Sequence, residues 1–389
     1  SPLVAERVAA VLDEFRPDVL HLHNLLNLSL DVPALAKQRG IPVVATLHDY
    51  TLVCPSGGQR VHVAEQHTCA QIDPERCARC FAQSPFAAAM AVGRRAGAAP
   101  LPGPSLRLAR ALSRRFPRLL AAAAARAARS VGPSPEEIRR RLDYALRACE
   151  DVDLFVAPSR ALAEEYRRLG VPASKLRVSD YGFPPLGAAP GRARGPHAPL
   201  AIGFVGTLVW HKGVHVLLDA AARLPRDRYE LLVFGSPDTF PAYAASLRRR
   251  AEGLPVRFLG GFENGDAARI YAQLDVLVVP SLWPENSPLV IHEAFQAGVP
   301  VVGARVGGIP DLLRGGESGP LYTPFSAEEL AGRLAELVDS RERLSALRAR
   351  LPAMKPIAQD AVEWWALYAA PRDPSAGAFS ARGSPSVAA

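Results

Sequence analysis

The sequence has no long apolar run, since none of its hydrophobic stretches approaches the roughly 18–20 residues of a membrane-spanning helix. Lysine is also scarce: only four of the 46 basic residues are lysine, and the others are arginine. The net charge of +8 is spread along the chain without interleaved aromatic residues, which argues against a nucleic-acid partner. It is compatible with a phosphate-bearing ligand or a membrane surface. No charged and apolar leader opens the sequence, so we expect a cytoplasmic protein, with peripheral attachment at the inner membrane face as an option.

What the chain does contain is apolar material for more than one core. Its 389 residues, 49% of them hydrophobic, correspond to two or three domains. Short β-branched runs alternate with helical patterns on both sides of a Pro/Gly/Arg-rich stretch at 184–199. This alternation predicts an α/β fold of two Rossmann-like, doubly wound domains that face a cleft. We expect the first domain at 1–190, the second at 198–352, a C-terminal helix at 353–371 that packs back on the first domain, and a disordered tail at 372–389.

The first domain departs from the usual doubly wound pattern. Such a domain begins with a strand, whereas residues 2–15 form an amphipathic helical pattern, and the glycine-rich turn that follows a first strand is absent. We therefore expect this domain to be N-terminally incomplete. Residues 84–134 are rich in Ala, Arg and Pro and indicate an insertion with loosely defined helices. Helices of this kind usually present a solvated basic face, and contact with a membrane or an acidic acceptor is the alternative.

The strongest chemical signal is the segment 283–298, with the sequence WPENSPLVIHEAFQAG. Ser287 and Pro288 are typical of a helix cap and a first helical turn. Glu285 precedes this predicted helix, and Glu293 lies inside it, eight positions later. The N–H groups of a helix start can bind an anion, and a carboxylate further along can accept hydrogen bonds from ribose hydroxyls. Taken alone, two such acids are more often an exposed loop residue and a solvated helix residue.

Two further turns follow strand ends in the second domain. Residues 204–213, FVGTLVWHKG, contain Gly206, which lets the backbone approach a ligand, and Lys212, which offers a positive charge to a phosphate. Residues 304–311, ARVGGIPD, place two glycines after another strand. Open α/β sheets bind ligands at the carboxyl ends of their strands, so the three turns are expected to form one site.

The order of these motifs resembles the donor domain of GT-B glycosyltransferases, specifically retaining glycosyltransferase family 4. The resemblance is carried by GTL-x3-KG at 206–213, E-x7-E at 285–293 and VGGIP at 306–310. In the first domain, PDVLHLHN at 17–24, TLHDY at 46–50 and APS at 157–159 are similar to the acceptor domain of the same family. The likeness thus covers about residues 10–370 and makes the second domain the nucleotide-sugar side.

The resemblance also implies roles for individual residues. Glu285 would contact the transferred sugar, Glu293 the ribose, and Lys212 the departing diphosphate. His48 matches a histidine across the cleft beside the reacting sugar, and a structural histidine is the alternative reading. His21 is paired with a second histidine on one strand face, but we expect no metal there. The donor-binding residues implied are Gly206, Thr207, Lys212, Glu285, Asn286, Ser287, Leu289 and Glu293.

The implied activity is transfer of a hexose from a nucleotide-diphosphate sugar to a glycan or lipid-linked acceptor, with retention of configuration and without a catalytic metal. Such a reaction belongs to polysaccharide biosynthesis, and preorganised positive groups would stabilise the leaving diphosphate. One position departs from the family pattern, because Thr207 stands where an arginine is common, and Arg305 is a candidate substitute. A non-catalytic nucleotide-sugar-binding or scaffold protein derived from such an enzyme is the alternative.

Four of the five cysteines lie within 27 positions: Cys54, Cys69, Cys77 and Cys80. The last two have the C-x2-C spacing of a zinc knuckle, and four thiolates can close a tetrahedral structural zinc site. Free thiols are the first alternative, and disulfides or an iron–sulfur cluster the second. A zinc-dependent nucleic-acid module is disfavoured, since no basic helix lies beside the knuckle.

Overall fold

The computed structural model of the chain describes residues 2–25, 28–62, 64–83, 132–187 and 198–369. Most of the expected insertion at 84–134 and the expected tail at 372–389 lie outside these residues. In the described part of the chain, two parallel sheets are each packed between helices, and no helix there has the length and apolar character needed to cross a bilayer.

The first domain contains a four-stranded parallel sheet. Its strands are β1 (Leu20–Leu22), β2 (Val43–Thr46), β5 (Leu154–Ala157) and β6 (Leu176–Val178), in the order β1-β2-β5-β6. A short antiparallel hairpin, β3 (Val61–His62) and β4 (His67–Thr68), lies in the cysteine-rich loop. The helices of this domain are α1 (Pro2–Phe15), α2 (Val32–Lys37), α3 (Pro74–Ala82), α4 (Pro135–Glu150) and α5 (Arg160–Arg168).

The second domain contains a six-stranded parallel sheet. Its strands are β7 (Leu200–Val205), β8 (Tyr229–Phe234), β9 (Val256–Gly260), β10 (Val276–Val279), β11 (Val301–Ala304) and β12 (Leu321–Tyr322), in the order β12-β11-β10-β7-β8-β9. Its helices are α6 (Val214–Ala221), α7 (Pro241–Arg250), α8 (Ala267–Tyr271), α9 (Leu289–Gln296), α10 (Ile309–Leu312), α11 (Ala327–Asp339) and α12 (Arg341–Arg348). The last described helix of the chain is α13 (Ile357–Ala369).

Both sheets are buried on two faces, which explains their continuous apolar runs. In β8, Leu231 and Val233 face one core, whereas Leu232 and Phe234 face another. In the first domain, Val44 packs on the opposite side from its neighbours in β2. That side is covered by α13, whose Trp364, Leu367 and Tyr368 pack against Val44 and β5.

Two doubly wound parallel sheets were the predicted fold class, and the structure confirms it. Strand β12 was not predicted, because two residues are too few to form a recognisable alternation in the sequence. The β3–β4 hairpin was not predicted either, because each of its strands has only two residues.

Candidate active site

A cleft with a volume of about 650 Å³ lies between the two domains, at the carboxyl ends of β7 and β10. The order of the second sheet reverses between these two neighbouring strands, and open α/β sheets bind ligands at such a point. The volume of the cleft lies within the roughly 300–1,000 Å³ that is usual for a small-molecule site. The lining residues include His48, Tyr181, Gly206, Thr207, Lys212, Trp283, Glu285, Asn286, Ser287 and Leu289.

Lys212 and Glu285 form an ion pair in this cleft. Lys212 Nζ donates to Glu285 Oε1 at 2.6 Å, and Ser281 Oγ donates to the same oxygen at 2.6 Å. The Lys212 ammonium also lies 5.5 Å from the centre of the Trp283 ring, a cation–π distance. Glu285 is only 5% exposed, and a carboxylate so buried needs charged and hydrogen-bonding partners. The two residues predicted to contact the sugar and the diphosphate therefore neutralise each other's charge.

Ser287 does not cap the helix that follows it, so that prediction is wrong. Helix α9 begins at Leu289 and has no side-chain cap. Ser287 Oγ instead donates to Asp180 Oδ1 at 2.7 Å and lies 2.8 Å from His292 Nε2. A hydroxyl donates only once, so His292 donates its Nε2–H to Ser287. Asp180 follows β6, so its hydrogen bond with Ser287 connects the loop 283–288 to the segment that joins the domains. Asp180 competes with the helix start for the Ser287 side chain, which is why Ser287 does not cap α9.

Glu293 lies beside the cleft rather than in its lining. It sits in the second turn of α9, and its Oε2 accepts a hydrogen bond of 2.7 Å from the hydroxyl of Tyr271. Burial raises the pKa of the Glu293 carboxyl, and the Tyr271 hydrogen bond opposes that rise. The carboxylate is thus held against α8, partly shielded from water.

The glycine turn at 306–310 packs against protein rather than lining the cleft. Gly307 has φ +57°, and a Cβ there would meet the backbone nitrogen of Glu285 at 2.5 Å. A Cβ on Gly308 would meet Asn286 O and, at 2.7 Å, the side chain of Ser159 in the first domain. The two glycines therefore let this turn pack closely against the loop that carries Glu285 and against the first domain. The expectation that this turn contacts the ligand is thereby corrected.

His48 lies across the cleft and contacts the second domain directly, because Asn286 Nδ2 donates to its backbone oxygen. Its ring is stacked on Tyr181, and its Nδ1 lies 3.1 Å from the Tyr181 hydroxyl. Its Nε2 lies 2.8 Å from His23 Nδ1. Burial lowers the pKa of His48, so this ring is neutral near pH 7.

Both ring nitrogens of His21 face hydroxyl groups of other segments. His21 Nε2 lies 2.8 Å from Thr46 Oγ1, and its Nδ1 lies 2.8 Å from the Tyr368 hydroxyl. Burial lowers the pKa of His21 to about 4. Throughout the residues that the structure describes, no three His, Cys, Asp or Glu side chains are placed to share a metal ion.

Two sequence families match the chain, one in each domain. The family described as "Glycosyl transferases group 1" matches residues 199–340, and "Glycosyltransferase Family 4" matches residues 1–140. The structure is similar to the crystal structure of Anabaena Alr3699/HepE in complex with UDP, with a TM-score of 0.63 and 19% identity, covering 94% of this chain and 82% of that one. The chain has the GT-B fold, and each of its two domains matches a glycosyltransferase family model.

Curated relatives of this GT-B-fold chain align over part of their length. Sulfoquinovosyl transferase SQD2 of Arabidopsis thaliana is 31% identical over 204 residues, which is 49% of this chain and 38% of the relative. D-inositol 3-phosphate glycosyltransferase of Corynebacterium glutamicum is 36% identical over 149 residues, 36% of this chain and 35% of the relative. The matched stretches thus span little more than a third of these two proteins.

The family pattern places a basic side chain for the diphosphate at two positions, and one of the two carries such a side chain in this cleft. Lys212 lines the cleft, whereas Thr207 contributes a neutral side chain there. Arg305, the candidate substitute, is exposed and is not among the residues that line the cleft.

The cysteine-rich loop of the first domain places its four thiols around one cavity, away from the cleft. Cys54, Cys69, Cys77 and Cys80 all line it, and none is in a disulfide. Burial and the neighbouring thiols raise the pKa of Cys77 to about 11. The thiols surround a common space but, as they stand, do not converge on a metal position, so structural zinc stays a prediction.

Four residues of the site were not found from the sequence. Asp180 and Tyr181 follow β6, and Ser281 follows β10, so the rule that strand ends carry ligand contacts could have drawn attention to them. Tyr271 ends α8 and carries no such signal; only the fold brings it to Glu293.

Proposed function

We propose that this GT-B-fold chain is a retaining hexosyltransferase of family 4, which moves a hexose from a nucleotide-diphosphate sugar to a glycan or lipid-linked acceptor. The observation that carries the proposal is the Lys212–Glu285 pair, at 2.6 Å, beside the start of α9 and opposite His48. One cation for a phosphate and one carboxylate for hydroxyl groups are what a sugar diphosphate requires.

The comparisons support a nucleotide-sugar donor. Crystal structures of Anabaena Alr3699/HepE with a similar fold contain UDP and UDP-glucose. The names of the curated relatives describe transfer of a sugar to an acceptor. A role in polysaccharide biosynthesis at the inner membrane face is part of the same proposal, and the chain's net charge of +8 is compatible with it.

Each step of the proposed transfer uses groups of this chain. Lys212 leaves Glu285 for the diphosphate and stabilises the negative charge that develops as the bond from the anomeric carbon to the diphosphate oxygen breaks. The acceptor's hydroxyl oxygen bonds to that carbon, and its proton passes to the departing diphosphate. Glu285, still bonded to Ser281, then accepts hydrogen bonds from the sugar. The backbone N–H groups of Leu289 and Val290, the first in α9, have no partner within the helix and lie at the cleft wall. Lys212 supplies the cation that the leaving group needs, so the proposal includes no catalytic metal.

A thermal-shift titration tests the donor site. UDP, GDP, dTDP and ADP and their hexose conjugates are added to the purified chain, because a ligand that binds only the folded state raises its apparent stability. A shift specific to one nucleotide, lost in Glu293→Ala and kept in Glu328→Ala, supports the proposal. Glu328 is a matched control, since it is an exposed helix acid outside the cleft lining. Equal shifts in both variants, or none with any nucleotide, contradict it.

Turnover distinguishes the enzyme from the alternative, a non-catalytic nucleotide-sugar-binding or scaffold protein, which the neutral Thr207 favours. Release of the bound nucleoside diphosphate from its sugar conjugate supports transfer, and the anomeric configuration of the product tests retention. Tight binding without release of the diphosphate, across an acceptor screen, identifies the binding protein instead.

A further inference from the structure

A row of aromatic side chains lies on the second domain, outside the lining of the cleft. The ring centres of Phe325 and Trp210 are 6.1 Å apart, and those of Trp210 and His215 are also 6.1 Å apart. The row continues to Tyr243, whose ring centre is 6.0 Å from that of His215 and whose hydroxyl lies 2.8 Å from His215 Nδ1. We call these four residues the aromatic row.

The aromatic row lies at the same edge of the sheet as the cleft. Trp210 and Lys212 belong to the one turn that follows β7, and Lys212 lines the cleft whereas Trp210 does not. Phe325 follows β12, and Tyr243 stands in the first turn of α7, which the chain enters from β8. The carboxyl ends of parallel strands share one edge of a sheet, so the row begins at the turn that supplies the lysine of the cleft.

The rings of the aromatic row are fixed from below and accessible from outside. Trp210 and Tyr243 are partly exposed and pack against the buried core of the second domain. Phe325 is 50% exposed, and its φ of +69° is in the left-handed region, which a bulky side chain rarely adopts. Backbone strain of this kind is concentrated at functional sites. The row is therefore a preorganised surface, which loses little side-chain freedom when it binds a ligand.

The exposed apolar surface of the second domain is mainly aromatic. In the described part of this domain, the most exposed large apolar side chains are Phe240, Leu289 and Phe325. Leu289 lines the cleft, and Phe240 directly precedes α7, the helix that carries Tyr243. The apolar side chains outside the cleft thus present flat rings rather than the aliphatic groups that would cover a lipid chain.

Polar groups without net charge adjoin the row. Asp219 is one turn after His215 on the same face of α6, and its Oδ2 accepts a hydrogen bond of 3.0 Å from Arg250 in α7. Burial lowers the pKa of His215, so its ring is neutral near pH 7. A sugar ring has C–H groups on its faces and hydroxyl groups at its rim. Aromatic faces attract such C–H groups, and the Asp219–Arg250 pair offers an acceptor and a donor for hydroxyls.

We propose that the aromatic row binds a neutral glycan chain, whose successive sugar rings stack on its side chains. The proposal rests on the proposed function and deepens it, because it selects a glycan chain among the possible acceptors. The end of that chain would reach the cleft, and the sugars behind it would lie on the row.

Calorimetric titration with cellohexaose, maltohexaose and chitohexaose tests the surface without any nucleotide. We expect at least one of these oligosaccharides to bind more tightly than glucose. Phe325→Gly and Trp210→Ala should each weaken this binding by about two- to tenfold, the effect of one lost ring contact. Trp365→Ala is the matched control, because Trp365 is 79% exposed on α13 and lies outside the row.

Phe325→Gly also separates a binding role from a structural one. Glycine adopts a φ of +69° without strain, so this variant should unfold at a temperature close to that of wild type although the ring is lost. Trp210→Phe, which keeps a ring, should retain part of the affinity. In the transferase assay, a longer glycan acceptor should lower KM in wild type and do so less in Phe325→Gly. The kcat for the shortest acceptor should be equal in both.

The proposal is overturned if none of the three oligosaccharides binds at millimolar concentration, or if Phe325→Gly and Trp210→Ala bind as wild type does. A dimer that dissociates in Phe325→Gly would make the row an interface between two copies and overturn it as well. Preferential binding of oligothymidylate through the same residues would overturn it in favour of a nucleic acid. A KM that does not depend on acceptor length overturns the link to the acceptor.

The binding measurement is independent of turnover. A chain that binds an oligosaccharide through the row but transfers no sugar would refute the proposed function while the binding surface stands. A chain that transfers sugar but binds no oligosaccharide through the row would refute this inference alone.

Discussion

Asp311, in the second domain, caps a helix of the first domain. Its Oδ2 accepts the backbone N–H of Arg160 at 2.7 Å, at the first residue of α5, and lies 3.4 Å from the N–H of Ala161. A carboxylate at a helix N-terminus satisfies unpaired N–H groups and is favoured by the helix dipole. Together with the Asn286 bond to His48, this cap connects the two domains on both sides of the site.

We predict that Asp311→Ala weakens the contact between the two domains and also destabilises the start of α5. Ser159 remains the N-cap of α5, so loss of the additional carboxylate at the helix start should lower the free energy of unfolding by about 0.3–1 kcal/mol. Since this cap bridges two domains, the radius of gyration measured by small-angle X-ray scattering should also increase. Ser326→Ala is the matched control, because Ser326 caps α11 within one domain. An equal radius in both variants would show that the cap does not hold the cleft.

We predict that Lys212→Ala lowers kcat by about 10²–10³-fold, the usual effect of removing one preorganised electrostatic donor. The fold should persist, because Glu285 keeps its bond to Ser281. Lys175→Ala, which removes a lysine bonded to backbone oxygens of the first domain, is the control. Steady-state kinetics and thermal unfolding of both variants check this. Turnover close to wild type in Lys212→Ala would remove the lysine from the mechanism.

Glu293 leads to a pH prediction. Its pKa is raised by burial, so the carboxyl takes up a proton at higher pH than an ordinary glutamate. The stability that the protonated form contributes is present below the unfolded pKa and is lost as pH rises through the folded pKa. Glu293→Gln should therefore unfold no more easily than wild type at pH 7. In the proposed donor site the ionised form accepts hydrogen bonds from the ribose hydroxyls, so nucleotide affinity should decrease on acidification.

Calorimetric titration of the nucleotide from pH 7.5 to pH 5 checks the affinity. Glu293→Gln should bind weakly at every pH and show only the titration of the ligand's own phosphate. Tyr271→Phe removes the bond that opposes the raised pKa, so its affinity should decrease from a higher pH. Identical profiles for wild type and Glu293→Gln would mean that this carboxylate does not bind the nucleotide.

The cysteine-rich loop carries the prediction of structural zinc. Arg60 Nε is buried beside the thiols and has no hydrogen-bond partner in the described part of the chain. Thiolates held around a cation would supply an acceptor for this group. Elemental analysis of the protein should give about one zinc per chain, and Cys77→Ser should lose it. Cys149→Ser, a buried thiol outside the loop, is the control. A folded, metal-free protein would establish free thiols.

The fold could be predicted from the sequence because buried parallel strands have continuous apolar runs of sufficient length, as in Leu200–Val205. The Lys212–Glu285 pair, 73 positions apart, could also be anticipated, since both residues follow neighbouring strands. The rule that sites form at the carboxyl ends of neighbouring parallel strands therefore predicts this contact between residues that are far apart in the sequence.

The surroundings of His48 could not be predicted in this way. Its partners are His23, Tyr181 and Asn286, which come from three segments with no common spacing. Ser287 has a side chain typical of a cap, but the tertiary partner Asp180 outcompetes the helix start. Local propensity selects among nearby partners only, and the Asp180 carboxylate, brought in by the fold, overrides it.

The pairing of Lys212 with Glu285 matches the main positive charge of the cleft to its main negative charge. Inorganic phosphate would replace only the glutamate, which would leave a buried carboxylate without its cation. A neutral sugar would replace only the lysine, which would leave the ammonium without its anion. A molecule that carries an anion and hydroxyl groups at the right separation replaces both partners in one event. We therefore expect such a molecule to bind more tightly than its anionic part and its hydroxyl-bearing part added separately.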